Sequence, residues 1–358
     1  MKDNLPTLLD ILNDIALCEE LNALDRSVYS FFFNNHDSAG KFEVAQTKES
    51  DYLLSPIPSL WNTFYRGENM VYVPCKASIF REYVSNEQRF IERVKACELG
   101  LLIDEYPLTH IFNSGINIPL INNEYQVCNL TIDYFAIAQH YGIKTDLIDF
   151  TSDKWVAAFF ASTYYKDGKY FPIEDDSKEG VFYIYNPMPD LPGIYSPNEF
   201  RAVGLQPFSR PGEQKGFVLK LKEEDDLSKM NITKRRFRHD KNVSHLIFNY
   251  SNRSNKLFPE DVLVNKVSFM NDSKIFSYKA LELSKTIFYS EISESDWTQL
   301  VESSGLIFQK EPIIFFSSEE IDAFYNKWDK NNMDDFFKHV LYRKVFTGDI
   351  KEVEPKEL

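Results

Sequence analysis

Tyr134 to Tyr165, YFAIAQHYGIKTDLIDFTSDKWVAAFFASTYY, is the stretch that sets the fold class. It reads as helix, tight turn, short buried strand, capped turn and second helix. Tyr134, Phe135, Ile137, Ala138 and Tyr141 form a helical apolar surface, and Gly142 is placed to end it in a left-handed C-cap. Thr145 to Thr151 is too short for a helix and alternates around Leu147, Ile148 and Phe150, which predicts a strand. Thr151 or Ser152 then caps a helix whose Trp155, Ala158, Phe159 and Ser162 share one face. The expected fold class is α+β.

The same stretch sets Gln139, His140, Thr145, Asp146, Asp149 and Thr151 among aromatic and aliphatic residues. Buried polar groups need partners, so such a cluster at a helix end marks a network or a site. Gln139 and His140 as simple caps of a buried helix end are the competing reading. Upstream, Phe64 to Glu68 reads FYRGE, with a strand expected over Leu60 to Tyr65 and Arg66-Gly67 at its end. A guanidinium there, followed by a glycine that admits close approach, suits a pyrophosphate or ribose-linked phosphate. An ion pair inside the fold is the ordinary alternative for Arg66.

QHYGIKTDLIDFT and FYRGE together resemble the bacterial family of FRG domains, named for an F/Y-R-G motif. Pro74, Phe80-Arg81 and Glu87 fall where that family shows a proline, a phenylalanine-arginine pair and an acidic helix. In FSRPGEQKGFVLKL, Phe208 to Leu221, the residues Arg210, Gln214 and Gly216 keep the family's order and spacing, while Phe217 lies one position early. LFPED at Leu257 to Asp261 is similar to the segment that closes many such domains. The chain departs from the family at Asp146: Thr-Arg-Leu-Leu-Asp-Trp is usual where this sequence has Thr145-Asp146-Leu147-Ile148-Asp149-Phe150. That inverts the local charge and disfavours an anionic ligand at that point.

The resemblance implies a split β-sheet core like that of ADP-ribosyltransferases, with flanking helices and a mostly helical C-terminal part. The expected organisation is an N-terminal helical segment at 1–50, the FRG domain at 51–270 and a helical extension at 271–358. NAD enters as substrate, with cleavage of the nicotinamide-ribose bond through an oxocarbenium-like state that a carboxylate or amide near the ribose stabilises. On this reading Arg66 holds phosphate or the ribose-nicotinamide side, and His140 or Tyr141 orients the substrate. Glu213 or Gln214 takes the third catalytic position, Glu213 favoured by charge and Gln214 by spacing. Gly67, Gln139, Thr145, Asp149 and Arg210 complete the expected binding set, with Asp149 orienting Arg66 or His140. A bacterial toxin or anti-phage effector is the implied role; the alternative is a non-catalytic sensor that holds a nucleotide in the pocket or a protein on the C-terminal helices.

Composition narrows the field independently. A chain of 358 residues buries on the order of three quarters of its unfolded surface, and 30 Phe and 20 Tyr supply a dense aromatic core. The longest apolar runs, VAAFFA and IIFF, fall far short of the roughly 20 residues of a membrane helix. With no basic start leading into an apolar run, a cytoplasmic protein is expected. Cys18, Cys75, Cys97 and Cys128 are widely spaced and read as reduced and buried. A net charge of -14 opposes nucleic-acid binding, for which KRRFR at Lys234 to Arg238 is the one basic candidate. There is no GxGxxG, GxxxxGK[ST], HExxH or GxSxG, the six histidines show no paired spacing, and Asp175-Asp176 reads as a solvated loop, so no metal is expected.

The remaining segments are assigned by period and turn chemistry. An apolar stripe of Leu5, Leu8, Ile11, Leu12, Ile15 and Cys18 predicts an N-terminal helix, and a capped helix is expected over Asn86 to Leu102. Asn34 to Ser50 reads as a polar loop, 103 to 130 as a variable connection or small hairpin, 166 to 180 as an acidic loop and Val181 to Tyr185 as a strand. SESDWTQLVESSGLIF, SSEEIDAFYNKWDK and MDDFFKHVLYRKVF read as helices that pack on the body or hold a partner.

Overall fold

In a computed structural model the protein is described over residues 5–25, 42–46, 51–56, 63–119, 125–186, 200–328 and 340–342. The connection at 187–199 and the segment MDDFFKH, 333–339, lie outside these residues.

Helix α1 (Leu8–Asp25) buries Leu8, Ile11, Leu12 and Ile15, while Cys18 on the same stripe is exposed. Strand β1 (Phe42–Gln46) falls where a polar loop was expected and runs antiparallel to β2 (Tyr52–Pro56). Strand β3 (Phe64–Glu68) carries Arg66 and Gly67 in its interior, not at its end. Helix α2 (Asn86–Asp104) starts on Ser85, whose hydroxyl accepts from Gln88 N at 3.2 Å. The connection at 103–130 holds a helix that periodicity did not reveal, α3 (Pro107–Ser114), begun by Pro107 and closed at Gly115 with φ +94°. The hairpin β4 (Ile116–Pro119) with β5 (Tyr125–Cys128) follows.

The central stretch forms as read: α4 (Tyr134–His140), Gly142 at φ +93°, β6 (Leu147–Thr151) and α5 (Lys154–Ser162). The cap of α5 is Asp153, which accepts from Trp155 N at 2.9 Å. Thr151 instead donates to Gln214 O at 2.7 Å and accepts from Asp153 N at 3.0 Å, so it ties the strand end to a distant segment. The next hairpin, β7 (Thr163–Lys166) with β8 (Lys169–Pro172), takes over the start of the expected acidic loop. After it come β9 (Glu179–Tyr185), β10 (Phe200–Ala202), the short helix α6 (Ser209–Glu213), β11 (Gly216–Lys220), β12 (Thr233–Arg238), α7 (Lys241–Tyr250) and α8 (Val262–Asp272).

Strands β10, β11, β6, β3, β9 and β12 form one sheet in that order, antiparallel at every junction. Residues alternate between two buried faces, as the two-residue pleat requires. Phe64, Ile148, Phe150, Tyr183 and Phe217 face Ile79, Phe80 and Leu227 on one side; Tyr65, Phe182 and Phe237 meet α1, α5 and α7 on the other. The ladder is complete between β3 and β9 over Phe64 to Glu68, yet β3 and β6 share only the pair Tyr65 and Thr151. Beyond that pair the sheet opens.

The C-terminal elements are β13 (Ile275–Ser277), α9 (Tyr278–Phe288), α10 (Glu294–Ser303), β14 (Ile307–Gln309), α11 (Ser318–Lys327) and β15 (Val340–Tyr342). β15 is a strand parallel to β1, where helix was expected. Ala280, Trp297, Ile314 and Phe316 share one buried cluster with Phe90 and Val94 of α2. Glu98 of α2, with no exposed surface, accepts from Ser277 N, Ser277 Oγ and Ile313 N at 2.9, 2.6 and 3.0 Å. Among the described residues no helix is long and apolar enough to cross a membrane.

Candidate functional site

Where β3 and β6 part, a cavity of about 250 Å³ opens between the strand ends, α5 and the β7–β8 hairpin. Arg66, Gly67, His140, Asp149 and Gln214, five residues of the expected set, line it together. They come from segments up to 148 residues apart in sequence, and the opened ladder is what brings them to one place.

Arg66 does not present a free guanidinium. Its Nε and Nη2 donate to Glu68 Oε1 at 2.9 and 2.5 Å, and its Nη1 donates to the backbone oxygen of Asp149 at 2.7 Å. The last bond satisfies a carbonyl that the interrupted ladder leaves without a strand partner. Burial works against the charge of Arg66, and Glu68 outweighs it, so the guanidinium is held even more firmly protonated than usual. Gly67 likewise serves packing. A Cβ there would stand 1.9 Å from Ala157 O and 2.7 Å from Ala161 Cβ, so the glycine admits α5 and not a ligand.

His140 is 8% exposed, with Nδ1 3.1 Å from Gln214 Oε1. Gln214 Nε2 donates to Leu257 O at 2.9 Å, which fixes the amide so that its oxygen faces the ring. Nδ1 therefore carries the hydrogen and Nε2 is left as an acceptor. Burial lowers the pKa of His140, opposed by Asp149 and the Gln214 hydrogen bond, and keeps the ring neutral. Nε2 lies beside Gly216, where a Cβ would approach it to 3.1 Å, and has no hydrogen-bond partner. Asp149 Oδ1 is also buried and unpartnered. Both atoms are enclosed by protein and belong to residues that line the cavity.

The other expected residues stand apart. Gln139 accepts from the Thr145 hydroxyl, a bond that locks the turn after α4. Tyr141 donates to Asp261, and burial, then that carboxylate, push its pKa up. Arg210 lies 4.4 Å over the Tyr141 ring and 5.7 Å over Phe258, a buttress behind the cavity wall. Glu213 is exposed at the end of α6 and does not line the cavity, so Gln214, the choice of spacing, is the one that reaches it. Asp146 pairs with Lys220 at 3.5 Å, also outside the cavity, so the inverted charge leaves the site itself unchanged. The walls that sequence reasoning passed over are Tyr65, Glu68, Phe160, Tyr164, Tyr165 and Tyr170. Glu68 was legible in FYRGE, two residues from Arg66 and hence on the same strand face.

KRRFR is consumed structurally: Arg235 pairs with Asp14 at 2.7 Å, Arg236 pairs with Glu179, and Lys234 donates to Ser228 O at 2.6 Å. No group of three or more His, Cys, Asp or Glu among the described residues is placed to hold a metal ion.

An α+β chain with an aromatic and polar cavity at a break in an antiparallel sheet is the class these features define. Residues 61–169 match the family model of the FRG domain, which takes in Arg66, His140 and Asp149. The chain carries an FRG domain, as its motifs indicated. Gln214 lies beyond the matched residues and joins the site through the fold. No curated protein and no solved structure matches the chain.

Proposed function

We propose that this protein cleaves the nicotinamide-ribose bond of NAD, transferring ADP-ribose to an acceptor or to water. The observation that carries the reading is the convergence of His140 and Asp149, each with a buried, unpartnered acceptor atom, on a cavity walled by aromatic rings. Ribose hydroxyls supply the missing donors, and tyrosine rings supply stacking area for nicotinamide. As the C1′–N1 bond breaks, the electron pair leaves with nicotinamide and positive charge grows on the ribose ring. The Asp149 carboxylate opposes that charge at short range in a low-dielectric site. The acceptor oxygen or water then bonds to C1′ and its proton passes through Asp149 to solvent. Arg66 positions Asp149 by holding its backbone oxygen, and Gln214 holds the His140 tautomer. An effector of the toxin or anti-phage kind is the role such chemistry serves, since loss of NAD arrests a cell.

A binding module without turnover is the second reading, favoured by the pairing of Arg66 with Glu68 and the Asp149 backbone oxygen, which spends the guanidinium on the fold and not on a reacting group. Nicotinamide release from NAD separates the two. Wild type is expected to release it, Asp149→Asn to fold normally by circular dichroism and lose at least about a hundredfold in rate. No release at any enzyme concentration, with NAD still raising the melting temperature, leaves the binding module.

A further inference from the structure

We infer that the cavity selects a flat, positively charged ring, so that it distinguishes the oxidised pyridinium of NAD from the neutral dihydropyridine of NADH and from free nicotinamide. This rests on the reading that the cavity is the nicotinamide-ribose site, and adds that charge on the ring is what the site recognises.

Charge is the first ground. Glu68 and Asp149 both line the cavity, and the guanidinium of Arg66 is the one cationic side chain among the described lining residues. That cation is spent twice, on the Glu68 carboxylate and on a backbone oxygen. Arg210, behind the wall, is stacked on Tyr141 and Phe258, and Lys215 is paired with Asp153 at 2.9 Å. His140 brings a lone pair and no charge. The cavity therefore holds an excess of negative charge and of acceptors, the inverse of a phosphate site.

The second ground is the walls. Tyr65, Phe160, Tyr164, Tyr165 and Tyr170 line the same space, and the faces of aromatic rings attract cations through their quadrupole. Tyr165 and Tyr170 sit with centroids 5.0 Å apart at 58°, and Phe160 meets Tyr170 nearly edge-on at 75°, so the rings form walls at an angle to one another and not a single stacked slab. Aromatic walls beside an anionic acceptor are the environment in which an organic cation gains most over its neutral analogue. A neutral ring brings no charge opposite to the Asp149 carboxylate, so the Coulombic gain is lost whatever hydrogen bonds form.

The test uses the full chain and two isolated rings that differ by one methyl group and one charge: 1-methylnicotinamide and nicotinamide. Isothermal titration is expected to show the cation binding at least about tenfold tighter. Asp149→Asn, of equal shape, is expected to abolish most of that ratio, and Tyr165→Leu, at a ring already 63% exposed and so safe for folding, to halve it or more. NAD is likewise expected to outcompete NADH. Equal binding of the two rings, or a ratio unmoved by both substitutions, overturns the inference. NAD turnover without a preference for the cation sinks this inference and spares the proposed chemistry. A strong preference for the cation without turnover does the reverse.

Discussion

At the scale of single residues, Arg66, Gly67 and His140 show how far a motif can be read. Their place in the site was legible because the residue types are chemically unusual for a buried strand and helix end. Their roles were not, because a role depends on partners that sequence keeps distant. Arg66 was read as a ligand for phosphate and meets Glu68 and a carbonyl; Gly67 was read as room for a ligand and is room for α5. Gly67→Ala is accordingly expected to destabilise the fold by about 3 kcal/mol or more, since the obstruction is the backbone of a buried helix that cannot give way. A shift of the urea midpoint by less than half of that amount contradicts the packing role. His140 gives a pH signature. Its folded-state pKa is lowered below the ordinary 6.5, mainly by burial, so the stability it contributes is present above about pH 6.5 and is lost as pH falls through the folded-state value. Because His239 is shifted the same way, the readout is a difference. The fall in melting temperature between pH 7.5 and 5 is expected to be smaller in His140→Gln than in wild type, and equal slopes remove His140 from the account.

At the scale of elements, the central strand and its two helices followed from period and glycine placement within 134–165, and the short strands elsewhere were harder to see. Strand β1 has only Phe42 and Val44 to mark it, and α3 has eight residues with one proline cap, so neither signal rises above that of a loop. The β7–β8 hairpin was missed because its residues sit under an acidic turn-rich composition, yet it supplies Tyr164, Tyr165 and Tyr170 to the cavity. Lys166 and Lys169 face each other across its tip, exposed, one residue beyond Tyr165 and one before Tyr170. On the proposed function these are the nearest cations of the hairpin to a diphosphate leaving the cavity. Substituting both by Glu is expected to weaken NAD binding about fivefold at low ionic strength, with the difference fading by about 0.5 M salt as the charges are screened. Unchanged affinity at low salt moves the diphosphate away from the hairpin.

At the scale of the whole molecule, the question is whether the residues after 270 are an appendage or a part of the body. A protein partner for the C-terminal helices is a proposal that deletion alone does not test, because the core runs across the boundary. Trp297 packs its ring 5.5 Å from Phe90 at 83°, Tyr289 joins the same cluster, and Glu98 is completely buried against Ser277 and Ile313. Without α9 and α10 the apolar face of α2, with Phe90, Val94 and Leu102, meets water, and the Glu98 carboxylate loses its donors. A chain ending at residue 273 is therefore expected to lose its cooperative unfolding transition and to bind a hydrophobic dye, where an appendage would leave both unchanged. Glu98→Gln reports the same coupling more gently. It keeps the shape but sets an NH2 against N–H donors, at an expected cost of about 3 kcal/mol, and it is expected to lower the melting temperature of the site and of the C-terminal helices together in one transition. Two separate transitions, with the cavity's ligand stabilising only the first, would instead show that residues 271–358 fold on their own and are free to serve a partner.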